Sequence, residues 1–413
     1  MEKLKGNFSV LMVCTEYPPM QGGIGRYTYN LVKSLRQYYN IHVNVLCSTE
    51  GNGDFKGLSP FEENNSEIIN DVVKKLKPDI VHIQHEQGLY NFKTHPLIPS
   101  KSGTSIDKFY SICKVPIVST FHTSYNFKTW MQSILINGND PLHLRYLYEF
   151  WKHLINYSSF KKTTSFAMSK SAEGIVFSNH MAKLVSGTQV IYHGSEPYQS
   201  TDIEQKKARE LLSLSVDKDE KILLVQGFLT VTKGWDVIRK MNIPDGWKVV
   251  LNHSKDHYNK QIIDLNLNDK KNVINLGKNY LSEKDLSLLF FASNVVFLPY
   301  KAIAGSGTMF DGIGHGKPFL ASDNGFFREF ANLGLGITAK RNATGFEQGL
   351  KIVDKNYDKL KSHVDDFRKN LKWNVIAKQH LDIYENILIN IQKYAYNNNK
   401  LISSESSKLQ KNL

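Results

Sequence analysis

Three short stretches of this 413-residue chain combine residue types that hold anions. The first is Pro18-Pro19-Met20-Gln21-Gly22-Gly23-Ile24-Gly25-Arg26-Tyr27. Glycines ahead of a helix let bare backbone N–H groups approach an anion, and the helix dipole favours its charge. A plain strand-to-helix turn accounts for the same residues equally well. The second is Gly227-Phe228-Leu229-Thr230-Val231-Thr232-Lys233-Gly234. Lys233 can set its ammonium against a diphosphate as a point charge, or be a solvated loop lysine. The third, Gly305-Ser306-Gly307-Thr308, precedes a helical stretch and offers consecutive backbone donors with two hydroxyls beside them. His122, in Thr120-Phe121-His122-Thr123, stands just past a strand, where cleft residues gather.

Other chemistries fail on spacing. Gly23 and Gly25 begin a G-x-G, but Thr28 ends it, so the dinucleotide fingerprint of a NAD enzyme is absent. Gly316-Lys317-Pro318 lacks the serine or threonine of a P-loop, and position 311 is Asp, which excludes that ATPase signature. His82 and His85 lie three apart on a strand and face opposite sides, with no further ligand cluster, so no metal is expected. Asp217 and Asp219 read as a solvated pair in a charged turn. The 3 cysteines (Cys14, Cys47, Cys113) are isolated and read as reduced core residues, as in a cytosolic protein.

The elements that must position these residues follow from pattern. Short apolar runs typical of buried parallel strands occur at 8–14, 41–47, 79–84, 115–121, 174–178 and 189–193, with helical spacing between them. Ser48 to Asn65 is polar and glycine-bearing and reads as a loop. From Pro141 to Tyr157, Leu144, Leu147, Tyr148, Trp151 and Leu154 mark one face of an amphipathic helix. After the polar stretch Glu196–Gln205 the pattern restarts, with strand runs at 221–226, 247–252, 273–276, 294–298 and 318–322. Trp373, Ile376, Ala377, Leu381, Tyr384, Ile387, Leu388 and Ile391 then line a long C-terminal helix. The expected fold class is α/β, with two doubly wound halves facing across a cleft. Residues 1–197 and 206–372 are the two domains, 373–395 a final helix and 396–413 a disordered tail.

Length agrees, since roughly 100–200 residues make a domain. Lys and Arg number 52 against 39 Asp and Glu, a net charge of +13 that suggests an anionic partner: nucleic acid, acidic membrane or phosphorylated small molecule. No apolar run approaches the 18 or so residues of a membrane span, and residues 1–7 do not read as a signal peptide.

Taken together, these motifs resemble the GT-B glycosyltransferases, specifically retaining family 4, from about Phe8 to Ile391. The likeness rests on the entry loop Pro18–Tyr27, on 78–86, 118–122 and 190–194, on Lys233-Gly234-Trp235-Asp236, and on Ser306–Thr308 with Gly316-Lys317-Pro318. It implies two Rossmann-like domains, with a final helix crossing back to the first. The first domain takes the acceptor and the second a nucleotide-sugar donor. Lys233 then matches a diphosphate lysine, Gly305, Ser306, Gly307 and Thr308 a phosphate-binding turn, Gly22 and Gly23 a loop closing on the donor, and His122 a contact to the transferred sugar.

The implied reaction moves a hexose from a UDP- or GDP-sugar to a hydroxyl of a glycan or lipid-linked acceptor. No metal or cofactor is implied, the nucleotide sugar being a substrate. Two positions depart from the pattern. An arginine expected before Lys233 is, allowing a one-residue slip, Phe228. The first of two spaced glutamates is Ile303, while the second is Asp311, which can still bond ribose hydroxyls. A degenerate non-catalytic member therefore stays open. Nucleotide-sugar epimerisation would need cleft carboxylates, against which the lost glutamate weighs. A nucleic-acid-binding protein is the reading from another class, but no recognition signature or clustered basic stripe supports it, so no nucleic-acid partner is expected. The expected location is the cytoplasm. The aromatic and basic residues of the Trp130–Lys162 segment read first as a core-facing helix with a solvated basic back; peripheral attachment through it to an anionic membrane, the inner face of the plasma membrane, is the other reading.

Overall fold

The computed structural model describes residues 8–95, 98, 101–134, 144–199, 201–254, 265, 267, 270–277 and 279–410. The expectations on residues 1–7 and on Pro141 lie outside them. The first sheet has seven strands: β1 (Ser9–Val13), β2 (His42–Ser48), β3 (Phe55–Leu58), β4 (Ile80–His85), β5 (Ile117–Phe121), β6 (Glu173–Val176) and β7 (Thr188–Val190). The second has six: β8 (Lys221–Phe228), β9 (Trp247–Ser254), β10 (Val273–Asn275), β11 (Val295–Leu298), β12 (Phe319–Ser322) and β13 (Gly336–Ala339). Their orders are β3-β2-β1-β4-β5-β6-β7 and β10-β9-β8-β11-β12-β13, and every pairing is parallel.

In each sheet the chain winds outward from a central strand and then crosses to that strand's other side. This puts a switch point between β1 and β4 and another between β8 and β11, and ligands of open α/β sheets bind beyond such points. Central strands lie under helices on both faces. Val10 to Val13 and Leu223 to Val225 are therefore wholly buried, which is why they read as unbroken apolar runs.

Edge strands give a weaker signal. Residues 48–65, expected to be a loop, contain β3, in which only Leu58 is buried and Gly57 sits at φ +132°. An edge strand with one side chain in the core has no alternation to betray it. β13, at the opposite edge of the second sheet, was likewise not among the expected runs.

The helix expected to end at Tyr157 runs from Leu144 to Lys170. Its apolar stripe does not all face the core: Leu147, Tyr148 and Trp151 are exposed. Trp130 instead packs against His153, Tyr157 and Phe160.

The final helix runs from Trp373 to Gln410, beyond the residue at which the pattern suggested disorder. It returns to the first domain. Trp373 and Tyr27 rings meet at 5.4 Å, the Trp373 amide donates to Glu196 at 3.0 Å, and the Tyr39 hydroxyl donates to the Asn374 carbonyl at 2.8 Å.

Candidate functional site

The second domain's half of the site gathers at its switch point. Near the end of β8, Gly227 sits at φ +137°, a left-handed conformation that favours glycine. A Cβ added there would lie 3.8 Å from Thr308 Oγ1 and 4.0 Å from Lys233 Nζ. The backbone at Gly227 is thus bare between an ammonium and a hydroxyl. Lys233 closes a single 3-10 turn (Val231–Lys233), and Gly234, at φ +68°, reverses the chain behind it. Its ammonium donates to the Tyr300 hydroxyl at 2.6 Å and lies 4.0 Å from that ring's centroid, and no carboxylate pairs with it among the described residues.

The turn Gly305–Thr308 opens the helix Gly307–Gly314. Ser306 is its N-cap and accepts from the Met309 amide at 3.2 Å, so its hydroxyl is committed to the helix. Gly305 and Gly307 face the first domain. A Cβ on Gly305 would come within 3.4 Å of the His122 carbonyl, and one on Gly307 within 3.5 Å of His193 Nε2. Gly305, Ser306, Gly307, Thr308 and Lys233 thus lie together, beside His122 from across the cleft.

Gly22 and Gly23 sit differently from the expected bare loop. Gly22 is the uncapped N-cap of the helix Gly23–Tyr39, and a Cβ on it would strike the Glu16 carboxylate, whose Oε2 would be 2.1 Å away. Glu16 also accepts from the Gly25 amide at 3.4 Å. The protein's own carboxylate meets this helix start, and Gly22 is small because Glu16 lies there. Gly23 has open space around it.

Asp311 likewise has partners already. One oxygen accepts from Arg26 Nη1 at 2.7 Å and the other from the Ser195 hydroxyl at 2.9 Å, while Arg26 Nε donates to Glu283 at 2.7 Å. Asp311, which could bond ribose hydroxyls by the resemblance, thus already has a cation and a hydroxyl as partners. Although burial pushes its carboxyl up, the Arg26 charge, helped by His193 and His315, holds it below the ordinary range. Arg26 was quoted only as part of the entry motif. Its role could not be read because its partners lie 257 and 285 residues away.

His122, at the carboxyl end of β5, hydrogen-bonds Gln84 Oε1 through Nε2 at 2.8 Å and stacks edge-on with Tyr27 and Phe177. Burial, with His193 and His85 nearby, holds it well below the ordinary imidazole value, so it is neutral at neutral pH. His82 and His85 are buried and engaged with Tyr384 and Tyr110. Glu86, at the carboxyl end of β4, is a residue the sequence did not single out. Burial, with the Glu16 charge adding and the Gly88 amide opposing, pushes its carboxyl up to about 7. Phe228 stacks on Tyr280 at 6.1 Å and Ile303 is buried, so neither departure leaves a cation or carboxylate facing the turn.

No family model matches the chain, and no curated protein does. Solved structures do. Sucrose-phosphate synthase from Thermosynechococcus elongatus superposes with a TM-score of 0.65 at 14% identity, over 93% of this chain and 100% of that one. A glycosyltransferase from Rickettsia africae gives 0.60 at 18%, over 92% and 98%. HepE of Anabaena, in complex with UDP, gives 0.60 at 14%, over 92% and 100%. At such identities the likeness is one of fold. Two parallel sheets, each with a switch point, and a C-terminal helix that returns to the first domain give this chain the GT-B fold of two Rossmann-like domains.

Proposed function

We propose that the protein is a retaining glycosyltransferase, moving a hexose from a UDP- or GDP-sugar to a hydroxyl of a glycan or lipid-linked acceptor. The observation that carries this is the bare backbone at Gly227, flanked by the Lys233 ammonium and the Thr308 hydroxyl at a switch point. A phosphate bound there would have a cation on one side and a hydroxyl donor on the other. HepE, which has this fold, was solved with UDP.

In the proposed reaction the bond between the anomeric carbon and the phosphate oxygen breaks while the acceptor oxygen bonds to that carbon on the same face. The acceptor's proton passes to a leaving phosphate oxygen. Negative charge grows on the diphosphate, and Lys233 with the amides at the start of the helix Gly307–Gly314 stabilises it. No metal or cofactor enters this reading.

Calorimetry with UDP, GDP, ADP and their hexose conjugates tests it. One base should be selected. Lys233→Ala should weaken it about 10- to 100-fold, as losing a charge-assisted hydrogen bond of about 1.5–3 kcal/mol implies. Absence of binding across the panel would return the chain to the degenerate or nucleic-acid readings.

We also propose a cytoplasmic location with peripheral membrane attachment. Exposed Leu147, Tyr148 and Trp151 share a helix with exposed Lys161 and Lys162, as an anionic lipid surface requires. No helix among the described residues is long and apolar enough to cross a membrane. In liposome flotation the protein should rise with anionic vesicles at low salt, and Trp151→Glu with Tyr148→Glu should remain at the bottom. Equal flotation of that variant would refute the assignment.

A further inference from the structure

We propose that Gln84 is a positioning residue that fixes the tautomer of His122, so that this ring meets its ligand as a hydrogen-bond acceptor. Gln84 is fully buried on β4, next to β5, and its side-chain amide is held at both ends. Oε1 lies 2.8 Å from His122 Nε2. Nε2 lies 3.1 Å from Met12 Sδ and 3.4 Å from His82 Nε2. A thioether sulfur only accepts, so the amide NH2 belongs on that side and the oxygen on the His122 side. An amide oxygen has nothing to donate. His122 Nε2 must therefore carry the ring's proton, and Nδ1 is left as a bare lone pair.

The line continues behind Gln84. His82 Nε2 also faces the Thr120 hydroxyl at 2.8 Å, and His82 Nδ1 faces the Tyr384 hydroxyl at 2.5 Å. With Nε2 accepting, His82 donates from Nδ1 to Tyr384 on the returning C-terminal helix. Gln84, His82, Thr120 and Tyr384 are buried and His122 is half-buried, and the groups run in one direction, from His122 through Gln84 and His82 to Tyr384. Reversing any one amide or ring would set like against like in a site without water to compensate.

His122 is bounded by the Tyr27 and Phe177 rings and by Gln84, with His193 and His85 as the titratable neighbours. Among the described residues nothing partners its Nδ1. A neutral ring with that lone pair free accepts from a hydroxyl and repels a carboxylate or phosphate oxygen. The inference rests on the glycosyl-transfer reading for what the hydroxyl belongs to. On that reading, the sugar unit at His122 is a neutral hexose with a free hydroxyl there. A uronate, or a deoxy sugar lacking that group, is discriminated against.

The test uses the full chain labelled with 15N-histidine, the His122 resonances being those missing from His122→Gln. The expected wild-type spectrum shows the tautomer protonated at Nε2. In Gln84→Leu the two nitrogens should average. In Gln84→Glu the Nε2 proton should stay, and His122 should titrate at higher pH because a carboxylate now favours its charged form. Binding gives the second reading: Gln84→Leu should weaken the nucleotide hexose about three- to tenfold and leave the nucleoside diphosphate unchanged, with Gln84→Glu recovering part of the loss.

An Nδ1-protonated wild type overturns the proposal. So does a Gln84→Leu spectrum like wild type. Should the leucine variant fail to fold, the titration of His122 in Gln84→Glu decides, and no upward move refutes it. If wild type binds no nucleotide sugar, the functional reading falls while the tautomer spectra still judge Gln84.

Discussion

Arg26→Met should lower the stability of the closed protein by about 3–5 kcal/mol, the usual cost of removing one partner from a buried ion pair. Arg26 extends from the first domain's entry helix and holds Asp311 and Glu283 of the second at once. The two pairs are not equal. The Asp311 side chain is 9% exposed and among the described residues has only the Ser195 hydroxyl besides Arg26, whereas the Glu283 side chain is 45% exposed and water can serve it. Glu283→Gln should therefore cost less than about 1 kcal/mol. Without Arg26, Asp311 must stay charged and unpaired, take up a proton, or gain water by parting of the domains. In the last case the contacts between the domains that do not involve Arg26 remain. These include the Ser195 amide on the Leu371 carbonyl and the Trp373 amide on Glu196. Urea midpoints compare the two variants, and small-angle scattering reports whether Arg26→Met expands. Equal midpoints for the two would show that Arg26–Asp311 is not the main tie.

That pairing marks the limit of what the chain reveals before folding. Wherever function depends on a local run, the residues announce it. β8 followed by a lysine turn, and small residues before the helix at Gly307, both lie within a dozen positions and appear together in space. What could not be read is the competition of groups, near or distant in sequence, for the same place. Gly22 looks like a bare amide for a ligand until Glu16 is seen beneath it. Asp311 looks like a free carboxylate until Arg26 arrives from the other domain. Ser306 looks like a ligand hydroxyl, although the spacing to Met309 makes it a cap, a rule that local sequence could have supplied. The exposed face of the helix Leu144–Lys170 has a different cause. Periodicity says that one stripe is apolar, but not whether protein covers it, and Leu147, Tyr148 and Trp151 lie in the open. Edge strand β3 was missed because its one buried residue, Leu58, carries no period.

The largest pH effect should come from histidine rather than from the carboxylates of the cleft. Asp311 has a depressed pKa, so its contribution is present above the ordinary aspartate range and is lost only as pH falls through the lowered value. The buried histidines act earlier. Burial lowers His85, His315 and His380 each to about 4, and His82 well below its ordinary value with the His380 and His122 charges adding to the effect. Between that range and about 6.5 the unfolded chain binds protons that these folded histidines refuse, so together they make stability rise with pH there and fall on acidification, opposed by Glu86, whose carboxyl is pushed up to about 7. A separation of about 2.5 pH units corresponds to about 3 kcal/mol for one histidine, and several such groups together approach the 5–15 kcal/mol by which folded proteins are stable. The protein should therefore unfold between about pH 6 and pH 4, well above the range in which Asp311 protonates. His380→Gln should soften the slope. Its ring packs against His82 and receives the Tyr27 hydroxyl at 3.2 Å, contacts that an amide can retain in part without taking up a proton. Circular dichroism followed from pH 8 to pH 3, with proton uptake measured on unfolding, reads both quantities. A flat profile down to pH 4 would mean that water reaches these rings and that the network from His122 to Tyr384 is looser than its geometry implies.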